Sequence, residues 1–239
     1  MTATPRTILA VDDEVDITEM LSVLLEGEGY RVLIASGGAE ALSILETERP
    51  DLVLLDIMMP EVDGHQVCSG IRARPGLQDV PVLMLTAKND IAHIAQAVDE
   101  GADGFIVKPF QVDQFLQAIK LRLEGKPDEF YRSASGEGQA KQLADKDRIL
   151  YVDLIEPEDC FSVVINACRD QDGTLLSLSQ DEISSGELQT TALVRVGSSA
   201  HFGELLNRVL ETPGVRILNC FLYRGFSEVP TDLIPRGDA

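Results

Sequence analysis

Five polar side chains stand where apolar runs stop. Asp12 and Asp13 directly follow the run Thr7–Val11, Asp56 follows residues 52–55, and Thr86 ends the run 80–85. Lys108 ends residues 104–107, just before Pro109. Three carboxylates in one place repel one another and require positive charge. An oxygen set with no nearby His or Cys suits Mg2+, which keeps several waters and uses only one or two carboxylates. The Lys108 ammonium and the Thr86 hydroxyl would then hold an anion beside the metal, and a phosphoryl group fits that mixture. Asp56 is the nucleophile such a site would convert to an aspartyl phosphate.

The elements that must bring these residues together are legible in the first half. Thr7–Val11, Arg31–Ala35 and residues 52–55, 80–85 and 104–107 are short, nearly continuous apolar runs rich in branched side chains. That suits parallel strands covered on both faces. Segments of helical period lie between and after them, at 15–26, 39–49, 64–74, 91–100 and 111–124, ended by Gly or followed by Pro in turn. Five strand–helix units predict an α/β, doubly wound parallel sheet of order 2-1-3-4-5, the flavodoxin-like arrangement, with ligands at the C-terminal strand edges. Strands one and three are neighbours in that order, so the three carboxylates are expected to converge.

The second half has another rhythm. Residues 125–147 hold few apolar anchors and read as a linker between a domain at 1–124 and one at 148–239. Strand-like runs at 149–155, 174–179, 191–196 and 215–223 alternate with helical stripes through Phe161, Val164, Ile165 and Cys168 and through Phe202, Leu205, Leu206, Val209 and Leu210. The order βαββαβ predicts a second, α+β ferredoxin-like domain.

Charge and composition exclude several classes of function. The 239 residues carry 20 basic and 40 acidic side chains, net −20. Up to Glu124 there are 9 basic and 21 acidic residues, and after it 11 and 19. Neither half has the basic footprint of phosphate-backbone binding, so no nucleic-acid partner is expected. No apolar run spans a bilayer and no leader precedes the first strand, so no membrane association and a cytoplasmic location are expected. Cys68, Cys160, Cys168 and Cys220 form no C-x-x-C pair and read as reduced, mostly buried thiols.

The first half resembles the receiver domain of two-component response regulators over residues 6–124. The resemblance lies in Val11-Asp12-Asp13-Glu14, in Leu55-Asp56-Ile57-Met58-Met59-Pro60-Glu61-Val62-Asp63-Gly64, in Leu85-Thr86-Ala87 and in Gly101-Ala102-Asp103-Gly104-Phe105-Ile106-Val107-Lys108-Pro109-Phe110. It implies that Asp56 is the phosphoacceptor and that Mg2+ is held by Asp12, Asp13, Asp56 and the backbone carbonyl of Met58. It further implies that Lys108 pairs with the phosphoryl oxygens, that Thr86 swings to hydrogen-bond them, and that Phe105 follows inward as an aromatic switch. A cis peptide before Pro109 and phosphorylation by a sensor histidine kinase or a phosphotransfer protein belong to the same picture. The chain is then a phosphoacceptor that assists its own phosphorylation and dephosphorylation, not an enzyme with a separate catalytic output.

The second half is similar in pattern to ACT-type ligand-binding domains, through Thr191-Ala192-Leu193-Val194-Arg195-Val196 and Thr212-Pro213-Gly214-Val215-Arg216-Ile217. That likeness implies a homodimer and a small, amino-acid-like effector. The first turn, Glu156-Pro157-Glu158-Asp159, lacks the glycine that lets a ligand approach the backbone, which favours dimerisation or partner docking as the output. A DNA-binding transcriptional regulator is the third reading, disfavoured by the charge.

Overall fold

The computed structural model of the chain describes residues 4–87, 96–97, 100–124, 148–156, 174–182, 188–196, 208–209 and 215–223. The chain divides into two compact units, Met1–Ile119 and Lys120–Ala239.

In the first unit, β1 (Thr7–Val11), β2 (Arg31–Ala35), β3 (Leu52–Asp56), β4 (Val82–Ala87) and β5 (Gly104–Lys108) pair in parallel in the order 2-1-3-4-5. Every residue of β1 and β3 is buried, whereas only Ala35 is buried in β2 at the sheet's edge. This is the burial that continuous apolar runs in a covered parallel sheet require. The helices are α1 (Val15–Gly27), α2 (Gly38–Ile44), α3 (Gly64–Ala73) and α4 (Val112–Glu124). In α1 the buried stripe is Thr18, Leu21 and Leu25, at the spacing one helical face demands. Asp63 opens α3 with a capping box: its carboxylate accepts from the Gln66 N–H at 2.8 Å, and the Gln66 side chain accepts from the Asp63 N–H at 3.1 Å. Such a cap stabilises a helix start by about 1 kcal/mol.

Two expected boundaries move, each for a local reason. The helix expected over 39–49 stops at Ile44, where the chain tightens: the Glu46 and Thr47 N–H groups donate to the Ser43 and Ile44 carbonyls three residues back. The Thr47 hydroxyl also donates to the Ile44 carbonyl, at 3.4 Å. The fourth strand starts at Val82, not residue 80. Pro81 has no N–H to give the ladder, and its carbonyl accepts from Val53 at 2.9 Å. The helix expected over 91–100 falls largely outside the described residues.

At the N-terminal edge of β4 and β5, one side chain of α3 ties three segments together. Arg72 donates to the carbonyls of Gly101 and Val80, each at 2.8 Å, and to the Asp103 carboxylate at 2.7 Å. Asp103 also accepts from the Val82 N–H at 2.8 Å. The Arg72 and Asp103 side chains are 15% and 6% exposed, so this is a buried ion pair whose donors are used on backbone as well as on charge. Cys68, one turn earlier on the same helix, is fully buried, and burial pushes its thiol up to about 11.

That thiol yields a direct check. Its folded pKa lies above the unfolded value of 9.0, so the unfolded chain releases the proton first as pH rises. The fold therefore loses stability progressively between about pH 9 and pH 11 through this group. At pH 8, alkylation of Cys68 by iodoacetamide, read by mass, is expected only at the rate of unfolding, and native-state labelling as fast as in urea would refute the burial.

In the second unit, β6 (Arg148–Glu156), β7 (Thr174–Glu182), β8 (Leu188–Val196) and β9 (Arg216–Tyr223) pair antiparallel throughout, in the order 9-6-8-7. Thr190, Ala192, Val194, Ile217 and Cys220 are buried, and their register puts all five on one face. Ile217 and Cys220 are an odd number of residues apart, so strict alternation would separate them. The register shift that leaves Leu218 unpaired restores them to the same side. The middle strands run beyond the expected 174–179 and 191–196. The helical stripes expected around 161–168 and 202–210, and the linker at 125–147, fall outside the described residues apart from Arg208 and Val209.

Candidate functional site

The site assembles at the C-terminal edge of the first unit's sheet. Asp12 follows β1 and is buried; its N–H donates to the Ala35 carbonyl at 3.2 Å, and its carboxylate accepts from the Glu14 N–H at 3.0 Å. Asp56 ends β3, and its Oδ2 accepts from the Met58 N–H at 2.8 Å. Lys108 ends β5, and its Nζ donates to Asp12 Oδ2 at 2.6 Å and to Asp56 Oδ1 at 2.5 Å. One ammonium thus holds two buried carboxylates that come from strands 44 positions apart in sequence.

Burial pushes the Asp56 carboxyl above its ordinary range, the Asp12 charge adds to that, and the Lys108 ammonium and Met58 N–H pull against it. Burial works to lower Lys108 as well, but its bonds to Asp12 and Asp56 outweigh it and raise the ammonium above 10.5. The pair is therefore a carboxylate that is costly to ionise beside a cation that does not let go of its proton at neutral pH.

The three expected carboxylates do not all meet. Asp13 is exposed, because successive residues leaving a strand point to opposite sides and Asp12 takes the buried one. Among the described residues no three His, Cys, Asp or Glu side chains form a group that holds a metal by themselves. What remains is two carboxylates and neighbouring backbone oxygen at Met58, with Asp13 at the rim. That hard, all-oxygen donor set, carrying one negative charge more than its single ammonium offsets, fits Mg2+ with most of its ligands as water.

The other expected residues lie around this pair. Thr86 is buried one position past the register partner of Asp56 on β4, and its hydroxyl donates to the Ala87 carbonyl at 3.3 Å. Phe105 is buried opposite Met84. The Lys108–Pro109 peptide is cis. Phe110 stacks on Phe115 of α4 with ring centroids 4.5 Å apart, which anchors the segment carrying Lys108.

Sequence reasoning missed how the loop bearing Asp56 is seated. A Cβ at Gly64 would collide with the carbonyl oxygen of Asp56 and the Cα of Ile57, and one at Gly38 would collide with the carbonyl oxygen of Val62. Between them Glu61 sits at φ 65°, a conformation rare outside glycine. The Asp-Gly pair at 63–64 was the available signal, since glycine at a close backbone approach is what such a dipeptide supplies. Gly64→Ala is expected to lower stability by about 1–3 kcal/mol and to slow modification of Asp56, because the backbone under the carboxylate must shift. An unchanged melting temperature and rate would show that the loop yields freely. His65 is half-buried, with Nδ1 2.8 Å from the Glu100 carboxylate.

An open parallel sheet with this order and with acidic residues gathered at its C-terminal edge defines the flavodoxin-like class of α/β domain. Residues 8–120 match the family model of the response regulator receiver domain. The DNA-binding response regulator MtrA of Mycolicibacterium paratuberculosis is 41% identical over 122 residues, which cover 51% of this chain and 53% of that protein. The probable transcriptional regulator ycf27 of Guillardia theta is 47% identical over 120 residues, covering 50% and 46%. Among solved structures, the chemotaxis protein CheY4 of Vibrio cholerae is 32% identical, with a TM-score of 0.47, over 49% of this chain and 98% of that one. The chain spans about half the length of the curated relatives it matches. The ACT-type likeness of residues 148–239 finds no support in these matches. Their names also run against the expectation of no nucleic-acid partner, which rested on the lack of a basic footprint in either half. No helix among the described residues is long and apolar enough to cross a membrane.

Proposed function

We propose that this chain is a response regulator of a two-component phosphorelay, with Asp56 as the residue that accepts the phosphoryl group from a histidine kinase. The observation that carries this reading is the Lys108 ammonium shared between Asp12 and Asp56. In the transfer, an Asp56 carboxylate oxygen attacks phosphorus, the bond from phosphorus to the donor atom breaks, and the donor leaves with that electron pair. Lys108 exchanges its bond to Asp56 for one to a phosphoryl oxygen and keeps its proton throughout. Bound through Asp12, Asp56 and the Met58 carbonyl, with Asp13 acting through water, Mg2+ would offset charge on the transferring group. Thr86 gives up the Ala87 carbonyl for a phosphoryl oxygen, and the space it vacates beside β5 is what couples the site to Phe105.

In this reading the second unit is a ferredoxin-like output module, because the antiparallel order 9-6-8-7 is the one a βαββαβ chain produces. Phosphorylation changes its assembly or its partner, and the chain has no separate catalytic output. The test is incubation of the full chain with acetyl phosphate, with and without Mg2+, followed by intact mass. One Mg2+-dependent, hydroxylamine-labile phosphoryl group per chain is expected, and none under any condition would sink the proposal.

A second reading, a DNA-binding output, is favoured by the name of the MtrA relatives. Residues beyond Glu124 are net −8, which leaves it second. Salt-dependent binding of the phosphorylated chain to duplex DNA would promote it.

A further inference from the structure

One side of α3 grips the segment that leads into β5. His65, Cys68 and Arg72 follow one another at the spacing of a single helical face. His65 Nδ1 lies 2.8 Å from the Glu100 carboxylate, which as an ionised group accepts its proton. The Cys68 Sγ lies 3.9 Å from the Glu100 carbonyl oxygen, and Arg72 holds the Gly101 carbonyl and the Asp103 carboxylate.

The two ends of this grip differ in what they touch. Arg72 works at the buried starts of β4 and β5. His65 works in the first turn of α3, and its neighbour Gly64 is packed so closely on the Asp56 carbonyl oxygen and the Ile57 Cα that a Cβ would collide with both. Glu100 is in turn tied to the residues before it. Its other carboxylate oxygen accepts from Gln96 Nε2 at 2.8 Å, and its N–H donates to the Gln96 carbonyl at 3.0 Å. The Ala102 N–H donates to the Ala97 carbonyl at 2.8 Å. A continuous chain of contacts thus runs from the backbone of Asp56 through Gly64 and His65 to Glu100. From there it reaches the entry to β5, the strand that carries Phe105 and Lys108. It uses different residues from the path through Thr86.

We propose that the His65–Glu100 bond is a second relay, through which a phosphoryl group on Asp56 loosens residues 100–103. The proposal rests on Asp56 being the phosphoacceptor. The phosphoryl group draws Lys108 off the Asp56 carboxylate and reseats the loop backbone. That backbone has no slack against Gly64, so the first turn of α3 moves with it. A hydrogen bond weakens steeply once its length and angle depart from the optimum. Coupling of this kind is reciprocal: if the group on Asp56 weakens the bond, removing the bond favours that group by the same factor. His65 is then a positioning residue, acting through Glu100.

Beryllium fluoride with Mg2+ tests this on the full chain, because it seats on an aspartate oxygen as a phosphoryl group does and gives an equilibrium readout. Its affinity is measured by titration calorimetry and amide exchange at Glu100 and Ala102 by NMR, with Asp56→Asn as the blank. In the wild type the probe should speed exchange at both amides about threefold or more. His65→Leu should exchange fast with or without the probe and bind it about three- to tenfold more tightly. His65→Asn, which returns an N–H donor near the place of Nδ1, should restore the wild-type affinity and response. Adding Glu100→Gln to His65→Leu should change nothing further, because both cut one link. Wild-type affinity and response in His65→Leu overturn the proposal, and so does a His65→Leu chain that differs only in melting temperature. A wild type that binds the probe with no change at Glu100 and Ala102 sinks the relay and leaves the phosphoacceptor reading standing. A wild type that binds it no better than Asp56→Asn sinks both.

Discussion

Asp56→Asn is expected to leave no phosphoryl group on the chain under conditions that saturate the wild type, while raising its melting temperature. The first effect follows from chemistry: an amide offers no anionic oxygen to attack phosphorus. The second follows from burial, which pushes the Asp56 carboxyl above its ordinary range. The folded chain holds that proton more tightly than the unfolded chain, so ionisation at pH 7 works against the fold. Asparagine removes that charge, and Lys108 keeps Asp12 as its partner at 2.6 Å. A gain of about 1 kcal/mol, read as a few degrees in melting temperature, is the expected size. The advantage should fade as pH falls and the wild-type carboxyl takes up its proton. Residual Mg2+-dependent incorporation at the wild-type level would mean that another residue is the acceptor, and a clear fall in melting temperature would mean that the charge at Asp56 stabilises.

Arg72→Ala is expected to be strongly destabilising, because Arg72 belongs to a buried ion pair. It removes the donor to the Gly101 and Val80 carbonyls and takes the guanidinium partner away from the buried Asp103 carboxylate. Breaking a buried pair from one side typically costs about 3–5 kcal/mol. In a chain of this size that lowers the melting temperature by roughly 10 °C. Arg72→Lys keeps the charge, but a single ammonium cannot serve three acceptors spread around a planar fork, so it should recover less than half of the loss. A shift of under about 1 kcal/mol for the alanine variant would show that water replaces the guanidinium at little cost.

These two sites differ in how far the sequence announced them. Asp12, Asp56 and Lys108 stand at the ends of apolar runs, and a parallel sheet brings strand ends together, so their meeting follows from topology. Asp13 failed to join because topology fixes the strand end and not the side to which the next residue turns. The Arg72–Asp103 pair had no such signal. Each looks like an ordinary surface charge, and their 31-residue separation becomes a contact only once α3 lies across the starts of β4 and β5. The wedging of Gly38 and Gly64 was equally silent, since a backbone approach leaves no periodic trace. In the second half the four strands were readable as apolar runs. The register shift at Leu218 was not, because an unpaired residue in a strand looks like any other leucine until its partner is known.

The order 9-6-8-7 also has a bearing on how the chain is made. β1 pairs with β2 through residues 24 apart, Thr7 with Arg31, while β6 waits for β9 across 66 residues, Asp153 with Asn219. At roughly 5–20 residues per second on the ribosome, the first gap closes in about 1–5 s and the second in about 3–13 s. During that interval one whole side of β6 presents open N–H and C=O groups, a template for mispairing with a neighbouring nascent chain. The first unit can be complete while its companion is still an open edge, so crowded polysomes and fast overexpression endanger the second unit first.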